Sequence, residues 1–260
     1  MAVRGENLGP VGTRRRVHLG VRIWEREKAM DYAIPFGGVP TVAVRAGDRP
    51  FPARRVYCVG RNYADHAREM GHDPDREEPF FFMKPADALV DCGAGGAKVA
   101  YPPMTADLHH EIELVVALGD GGVDVEPAAA ERLIFGYAVG IDLTRRDLQG
   151  EAKERRRPWE VGKSFDGAAP ISPIVPAREI GHPSAGRIWL AVNDEIRQDG
   201  DLGQMIWAVP EIIADLSRYF ALAPGDLVFT GTPAGVGPLR RGDRITGGVE
   251  GVGEIALTIE

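Results

Sequence analysis

The chain is predicted to be α+β. From Pro50 onward it reads as short strands separated by glycine, proline and aspartate turns, with few long helical periods. Its apolar runs are β-branched and of strand length, and the stripe at 212, 213, 216 and 220 has helical spacing. With 260 residues, 44% of them hydrophobic, it can bury a sizeable core. One intertwined domain with a small N-terminal portion is the simplest architecture.

In chain order, residues 56–60 are a short buried strand, 62–70 have helical composition, and the polar stretch 71–79 is a surface loop. An apolar strand over 80–84 closes at Pro85. The run 109–118 follows as a strand, then a helix over 128–133 behind Pro127, which suits a first helical turn. Residues 135–141 form a strand that ends at Asp142. The polar segment 144–156 is helix-prone and stops before Pro158. Further strands are expected at 188–192, 227–230 and 254–259, with a helix over 210–219 and a turn or hairpin between Asp194 and Gly200. Residues 1–29, with Arg14-Arg15-Arg16 and little apolar patterning, are expected to be an upstream extension or a disordered tail. No apolar segment of the signal-peptide kind follows Arg16, and Met30 is an alternative start.

A net charge of -7 argues against a nucleic-acid surface and favours small-molecule partners. Cys58 and Cys92 are too few for a disulfide framework, so a reducing cytoplasm is expected. No apolar run reaches the about 18 residues that a membrane helix needs.

The chemistry centres on Glu111 and Glu113. Side chains two apart on a strand share a face, so both carboxylates look into one space. Adjacent buried anions must share a proton, pair with cations or hold a metal. Asp142, at the end of the next strand, is the best third oxygen ligand, and three carboxylates suit a hard divalent ion with open positions for substrate. Spacing alone leaves another arrangement open, with both glutamates on the solvent face of an edge strand and Asp142 capping a helix. On a helix, His66 and Glu69 stand at i and i+3, where a carboxylate can orient an imidazole as a general base; an ordinary surface charge pair is the alternative. Lys163, among small and apolar residues, can stabilise negative charge or be a plain surface lysine. The turn 230–237 lacks the Gly-Lys-Ser/Thr ending of a phosphate loop, so its glycines are expected to let backbone approach a small ligand.

From about residue 56 to the C-terminus the chain resembles the fumarylacetoacetate hydrolase family. The stretches that carry the resemblance are Tyr57 to Tyr63 with His66 and Glu69, His109 to Glu113, Gly136 to Asp142 with Arg146-Asp147, Gly162 to Asp166, and Pro224 to Asp226 leading into Thr230 to Pro233. The resemblance implies a layered mixed β-sheet roll with a few short helices, a catalytic domain over 56–260 behind a small segment at 30–55, and usually a homodimer. It implies Mg²⁺ or Mn²⁺ at Glu111, Glu113 and Asp142, a water-activating His66–Glu69 dyad, Lys163 as charge stabiliser, substrate contacts from Arg146, Gln149 and Thr232, and a lid over 62–79. Arg145 to Gln149, Pro158-Trp159-Glu160 and Met205-Ile206-Trp207 look most like the acylpyruvate and fumarylpyruvate hydrolase branch of aromatic catabolism, the gentisate pathway included. That branch hydrolyses a C–C bond in a ketonic substrate; relatives decarboxylate oxaloacetate or isomerise and decarboxylate dienedioates. A scaffold protein without chemistry would be expected to lack His66, Lys163 or a carboxylate, and all are present.

Overall fold

The run Ile112–Leu118 is buried along its whole length because it is covered on both faces. In the computed structural model, which describes residues 33–35, 37–69, 78–93 and 95–260, it pairs antiparallel with Leu227–Phe229 on one side and Ile134–Ile141 on the other. Alternation then sorts its side chains. Ile112, Leu114, Val116 and Leu118 enter the larger core, while Val115 and Ala117 enter a smaller one on the opposite face, the face of Glu113.

Packing divides the chain into Met1–Gly38 and Val39–Glu260. Of the first unit only 33–35 and 37–38 are described, and the extension expected at 1–29 lies outside the described residues. In the second, the central sheet runs Phe80–Lys84, Val56–Gly60, Leu227–Phe229, Ile112–Leu118, Ile134–Ile141, Ala169–Ile171, Leu89–Asp91, with Val175–Pro176 also on Ile134–Ile141. Two of its pairings are parallel, so the sheet is mixed. A five-stranded sheet runs Glu195–Asp201, Arg187–Val192, Arg244–Val249, Gly253–Ile259, Ala97–Val99, and its Ile188, Leu190, Ile245 and Leu257 share the larger core with the central sheet. The longest helix, Val209–Tyr219, has Pro210 in its first turn and buries Ile212, Ile213 and Leu216 in the same core.

This is the layered α+β arrangement of short strands and short helices that the sequence predicts. Strand 135–141 is found as Ile134–Ile141 and the helix behind Pro127 as Pro127–Ala130 with a 3-10 turn over Glu131–Leu133; the stretch between Asp194 and Gly200, expected as a turn or hairpin, is instead the strand Glu195–Asp201, second arm of a hairpin that turns at Asn193 and Asp194, both at positive φ. The helical segment 62–70 is shorter, Ala64–Glu69, and most of the loop at 71–79 lies outside the described residues. The carboxylate run is corrected as well. The run 109–118 is not one strand: Leu108–His110 pairs with Thr144–Arg145 and Gly237–Leu239 in a three-stranded sheet, Ile112–Leu118 belongs to the central sheet, and Glu111 is the joint between them. A joint has no periodic signature, because each piece alternates correctly by itself. Strands of two or three residues, such as Leu89–Asp91 and Ala169–Ile171, escape notice for want of a full period. Among the described residues no helix is long and apolar enough to cross a membrane.

Candidate active site

Strand ends assemble the floor of a pocket. The amide of Asp142 donates to the carbonyl of Glu111 at 2.8 Å, tying the joint to the end of the neighbouring strand. Register pairs Ile112 with Ile141 and Glu113 with Gly140, so the three acidic side chains converge. One oxygen each from Glu111, Glu113 and Asp142 lies within 4.8 Å of the others, and all three residues are buried.

Two buried lysines and a part-buried arginine hold this floor together. Lys163, on the short helix Glu160–Lys163, donates from Nζ to Glu111 Oε2 at 2.8 Å, Asp142 Oδ2 at 2.7 Å and Thr144 Oγ1 at 2.7 Å. Arg146 pairs with Glu111 Oε1 and reaches Gln149 Oε1 at 2.7 Å. Lys84 Nζ, fully buried, stands 2.8 Å from Asp142 Oδ1 and donates to the carbonyls of Leu143 and Lys163. Charge is thus shared unequally among the carboxylates. Burial pushes Glu111 up, but Lys163, Arg146 and His66 outweigh it and hold the carboxyl well below its ordinary range. Among the described residues Glu113 accepts only from the amide of Gly231, at Oε2 and 2.7 Å. Burial, then Asp142 and Glu111, push it well above the ordinary range.

The floor fits a hard divalent cation. Its donors are all carboxylate oxygens, Asp142 Oδ1 is buried without an aligned hydrogen bond despite the nearby Lys84, and among the described residues Glu113 forms no ion pair. Solvent-facing glutamates and a helix-capping Asp142 do not describe what is seen.

A second group comes from the helix Ala64–Glu69. His66 Nδ1 lies 3.2 Å from Glu69 Oε2, and the Glu69 carboxylate also accepts from the amide of Gly235. The glycine-rich turn therefore touches both parts of the site, through Gly235 to Glu69 and through Gly231 to Glu113. Gly231 has φ +97°, and a Cβ there would stand 2.7 Å from Asn62 Cβ, so a side chain would break this approach. Thr232, next in the turn, accepts from buried Gln198, which also binds the amide of Ile112.

One wall of the pocket is aromatic. Trp159 packs edge-on to Phe80, with centroids 5.2 Å apart, and tilted against Phe82 at 5.8 Å. Phe80 lies across Gly60, where a Cβ would meet its ring at 2.0 Å. Arg61 stands over Phe80 at 5.4 Å, and Lys153 over Trp159 at 5.0 Å. Lys153 completes an i, i+3, i+7 stripe with Arg146 and Gln149 on the helix Arg146–Glu154.

Eight of the nine residues singled out from the sequence line this one pocket, and the ninth, Glu69, is bonded to His66. Sequence reasoning missed Lys84, Gln198, Arg61 and Lys153. The helical stripe through Arg146 and Gln149 was signal enough to find Lys153; Lys84, at the end of a strand distant in sequence, left no comparable mark.

Residues 55–260 match the family described as fumarylacetoacetate (FAA) hydrolase C-terminal. The fumarylpyruvate hydrolase of Ralstonia sp is 47% identical over 192 residues, covering 73% of this chain and 98% of that one. The mouse (Mus musculus) protein named oxaloacetate tautomerase FAHD1, mitochondrial, is 44% identical over 199 residues, covering 76% of this chain and 88% of that one. A crystal structure of fumarylpyruvate hydrolase from Pseudomonas aeruginosa in complex with Mn²⁺ and pyruvate superposes with a TM-score of 0.87 at 52% identity, covering 88% of this chain and 99% of that one.

Proposed function

The chain belongs to the fumarylacetoacetate hydrolase family, and from that premise we propose that it hydrolyses the C3–C4 bond of a 2,4-dioxo acid, fumarylpyruvate or another acylpyruvate, to pyruvate and a carboxylic acid. The observation that carries this reading is the meeting, in one pocket, of the acidic triad, the ammonium of Lys163 and the His66–Glu69 pair.

Glu111, Glu113 and Asp142 would hold Mg²⁺ or Mn²⁺, which supplies Lewis-acid polarisation of the 2-oxo acid and a counter-charge for an enolate. Everything else is done by the chain. With Nδ1 of His66 turned to Glu69, Nε2 takes a proton from water and the carboxylate steadies the imidazolium. The hydroxide adds to C4, the C3–C4 bond breaks, and the electron pair leaves on pyruvate enolate. Lys163 opposes the negative charge that develops, a preorganised electrostatic contribution. The imidazolium then returns its proton to C3. Arg146, Gln149 and Thr232 line the pocket where the dioxo acid would be oriented.

A coupled assay for pyruvate, run on acylpyruvates, fumarylpyruvate and oxaloacetate with and without Mg²⁺ or Mn²⁺, tests the reading. Metal-dependent release of pyruvate from dioxo acids is expected; its absence would sink the proposal. A second reading, oxaloacetate tautomerisation, is supported by the mouse relative that bears that name. It needs proton transfer at C3 without attacking water, as oxaloacetate decarboxylation needs an enolate without attacking water. Survival of oxaloacetate decarboxylation in His66→Ala, with hydrolysis lost, separates water activation from enolate stabilisation. The family resemblance supports a homodimer, which light scattering on the purified chain checks. Two buried free cysteines support a reducing compartment such as the cytoplasm, which fractionation of the source cell checks.

A further inference from the structure

The reaction proposed above uses the floor of the pocket and leaves the cationic wall without a task. Lys163 and Arg146 are committed to Glu111 and Asp142. Lys153 is not: its half-buried ammonium lines the same pocket against the face of Trp159, and no carboxylate pairs with it among the described residues. The charged groups acting on it are mainly Arg146, Arg61 and Lys163, with Glu111 opposing them. Burial, reinforced by those three cations, brings Lys153 down to about 8. A cation held out of water beside other cations has surplus positive potential, and an anionic ligand relieves it. An apolar substrate tail in the same place would strip water from the ammonium and give nothing back.

We propose that Lys153, with Arg61 beside it, reads a second, distal carboxylate on the substrate, so that this site takes 2-oxo diacids in preference to 2-oxo acids with apolar tails. The first carboxylate and the 2-oxo group belong to the floor. The segment between the two ends of the substrate lies along Phe80, Phe82 and Trp159, whose ring faces suit a planar unsaturated chain. Arg61 stands over Phe80 on the same wall as Lys153. The assignment of the floor to the 2-oxo acid end rests on the proposed function. The preference for a distal charge is tested apart from it.

Two pairs of ligands make that separation. 2-Oxoheptanedioate and 2-oxoheptanoate have equal length and lack a 4-oxo group, so neither can undergo the proposed cleavage. Titrated calorimetrically into the Mn²⁺-loaded protein, the diacid is expected to bind about tenfold tighter or better, the range for a hydrogen bond to a charged group. Lys153→Met is expected to remove that gap without changing affinity for 2-oxoheptanoate, which also reports that the variant is folded, and Lys153→Arg is expected to retain it. In turnover, Lys153→Met raises KM about tenfold for fumarylpyruvate, with kcat kept. It changes nothing for 2,4-dioxohept-5-enoate, which has a methyl where fumarylpyruvate has its distal carboxylate. Equal affinities in the wild type, no binding of either 2-oxo acid, or a gap that survives Lys153→Met would overturn the inference. A diacid preference without cleavage of any dioxo acid supports it and removes the hydrolase reading. Cleavage of both dioxo acids with equal kcat/KM does the reverse.

Discussion

The floor and the wall of the pocket solve opposite problems with the same kinds of side chain. On the floor three buried carboxylates meet the buried Lys84 and Lys163 and the part-buried Arg146, and Glu111 and Asp142 each face two of those cations. On the wall Arg61 and Lys153 lie on aromatic faces, and Lys153 is half open to water. Buried and paired, the floor is costly to disturb and holds its geometry without substrate. The wall tolerates change, and its energy depends on what enters. Under the reading proposed above, chemistry accordingly falls to the floor and discrimination to the wall.

Breaking the floor should have the largest effects. Glu113→Ala removes an oxygen of the proposed metal site and is expected to bring metal-dependent pyruvate release to background in the coupled assay; full activity in the metal-free variant would refute the triad. His66→Ala, which leaves the carboxylates in place, is expected to lower kcat for hydrolysis by about 10²–10⁴-fold, the range for a general base. Lys84→Met takes away a buried partner of Asp142 that takes no direct part in the proposed reaction. Urea unfolding is expected to show a loss of up to about 3–5 kcal/mol, the range for breaking a buried ion pair, and a loss under about 1 kcal/mol would mean that Lys163 alone suffices for Asp142.

Titration sharpens the contrast. Glu113 is held well above the ordinary carboxylate range without metal, so an incoming cation displaces its proton. Metal affinity is expected to tighten as pH rises, and calorimetry in buffers of different ionisation enthalpy should show the proton leaving; pH-independent affinity would contradict that. The smallest effect is on the wall. Lys153 titrates at about 8 in the folded chain against an ordinary 10.5, so the folded state loses its proton first and the unfolded state binds more protons between those values. Stability contributed at this site is therefore lowest below pH 8 and recovers as pH rises to 10.5. Lys153→Met is expected to be the more stable chain at pH 7, with a difference that fades by pH 10.5; a difference independent of pH would assign the effect to packing on Trp159.

Much of the floor was legible because its residues stand at readable positions. Glu-x-Glu inside an apolar run and an aspartate at a strand end are anomalies of charge, and an anomaly of charge needs no fold to be noticed. The His66–Glu69 spacing is a helical neighbour relation that survives in the short helix Ala64–Glu69. The break at Glu111 was not legible, since two strands in different sheets can be spelled as one alternating run. Lys84 and Gln198 were missed for a different reason: nothing local distinguishes a lysine that ends buried beside Asp142 from one that ends in water.

By itself the sequence determined the α+β class, the order of most longer elements, and the residue types able to hold a hard cation and move a proton, because periodicity and misplaced charge are local properties. The tertiary structure alone decided which cation neutralises which carboxylate, that Glu113 is left without an ion pair among the described residues, and that Lys153 stands on Trp159 facing the same pocket. Those facts depend on the approach of strand ends and helices far apart in the chain. Electrostatic energy in a buried site is set by distances that no spacing in the sequence encodes.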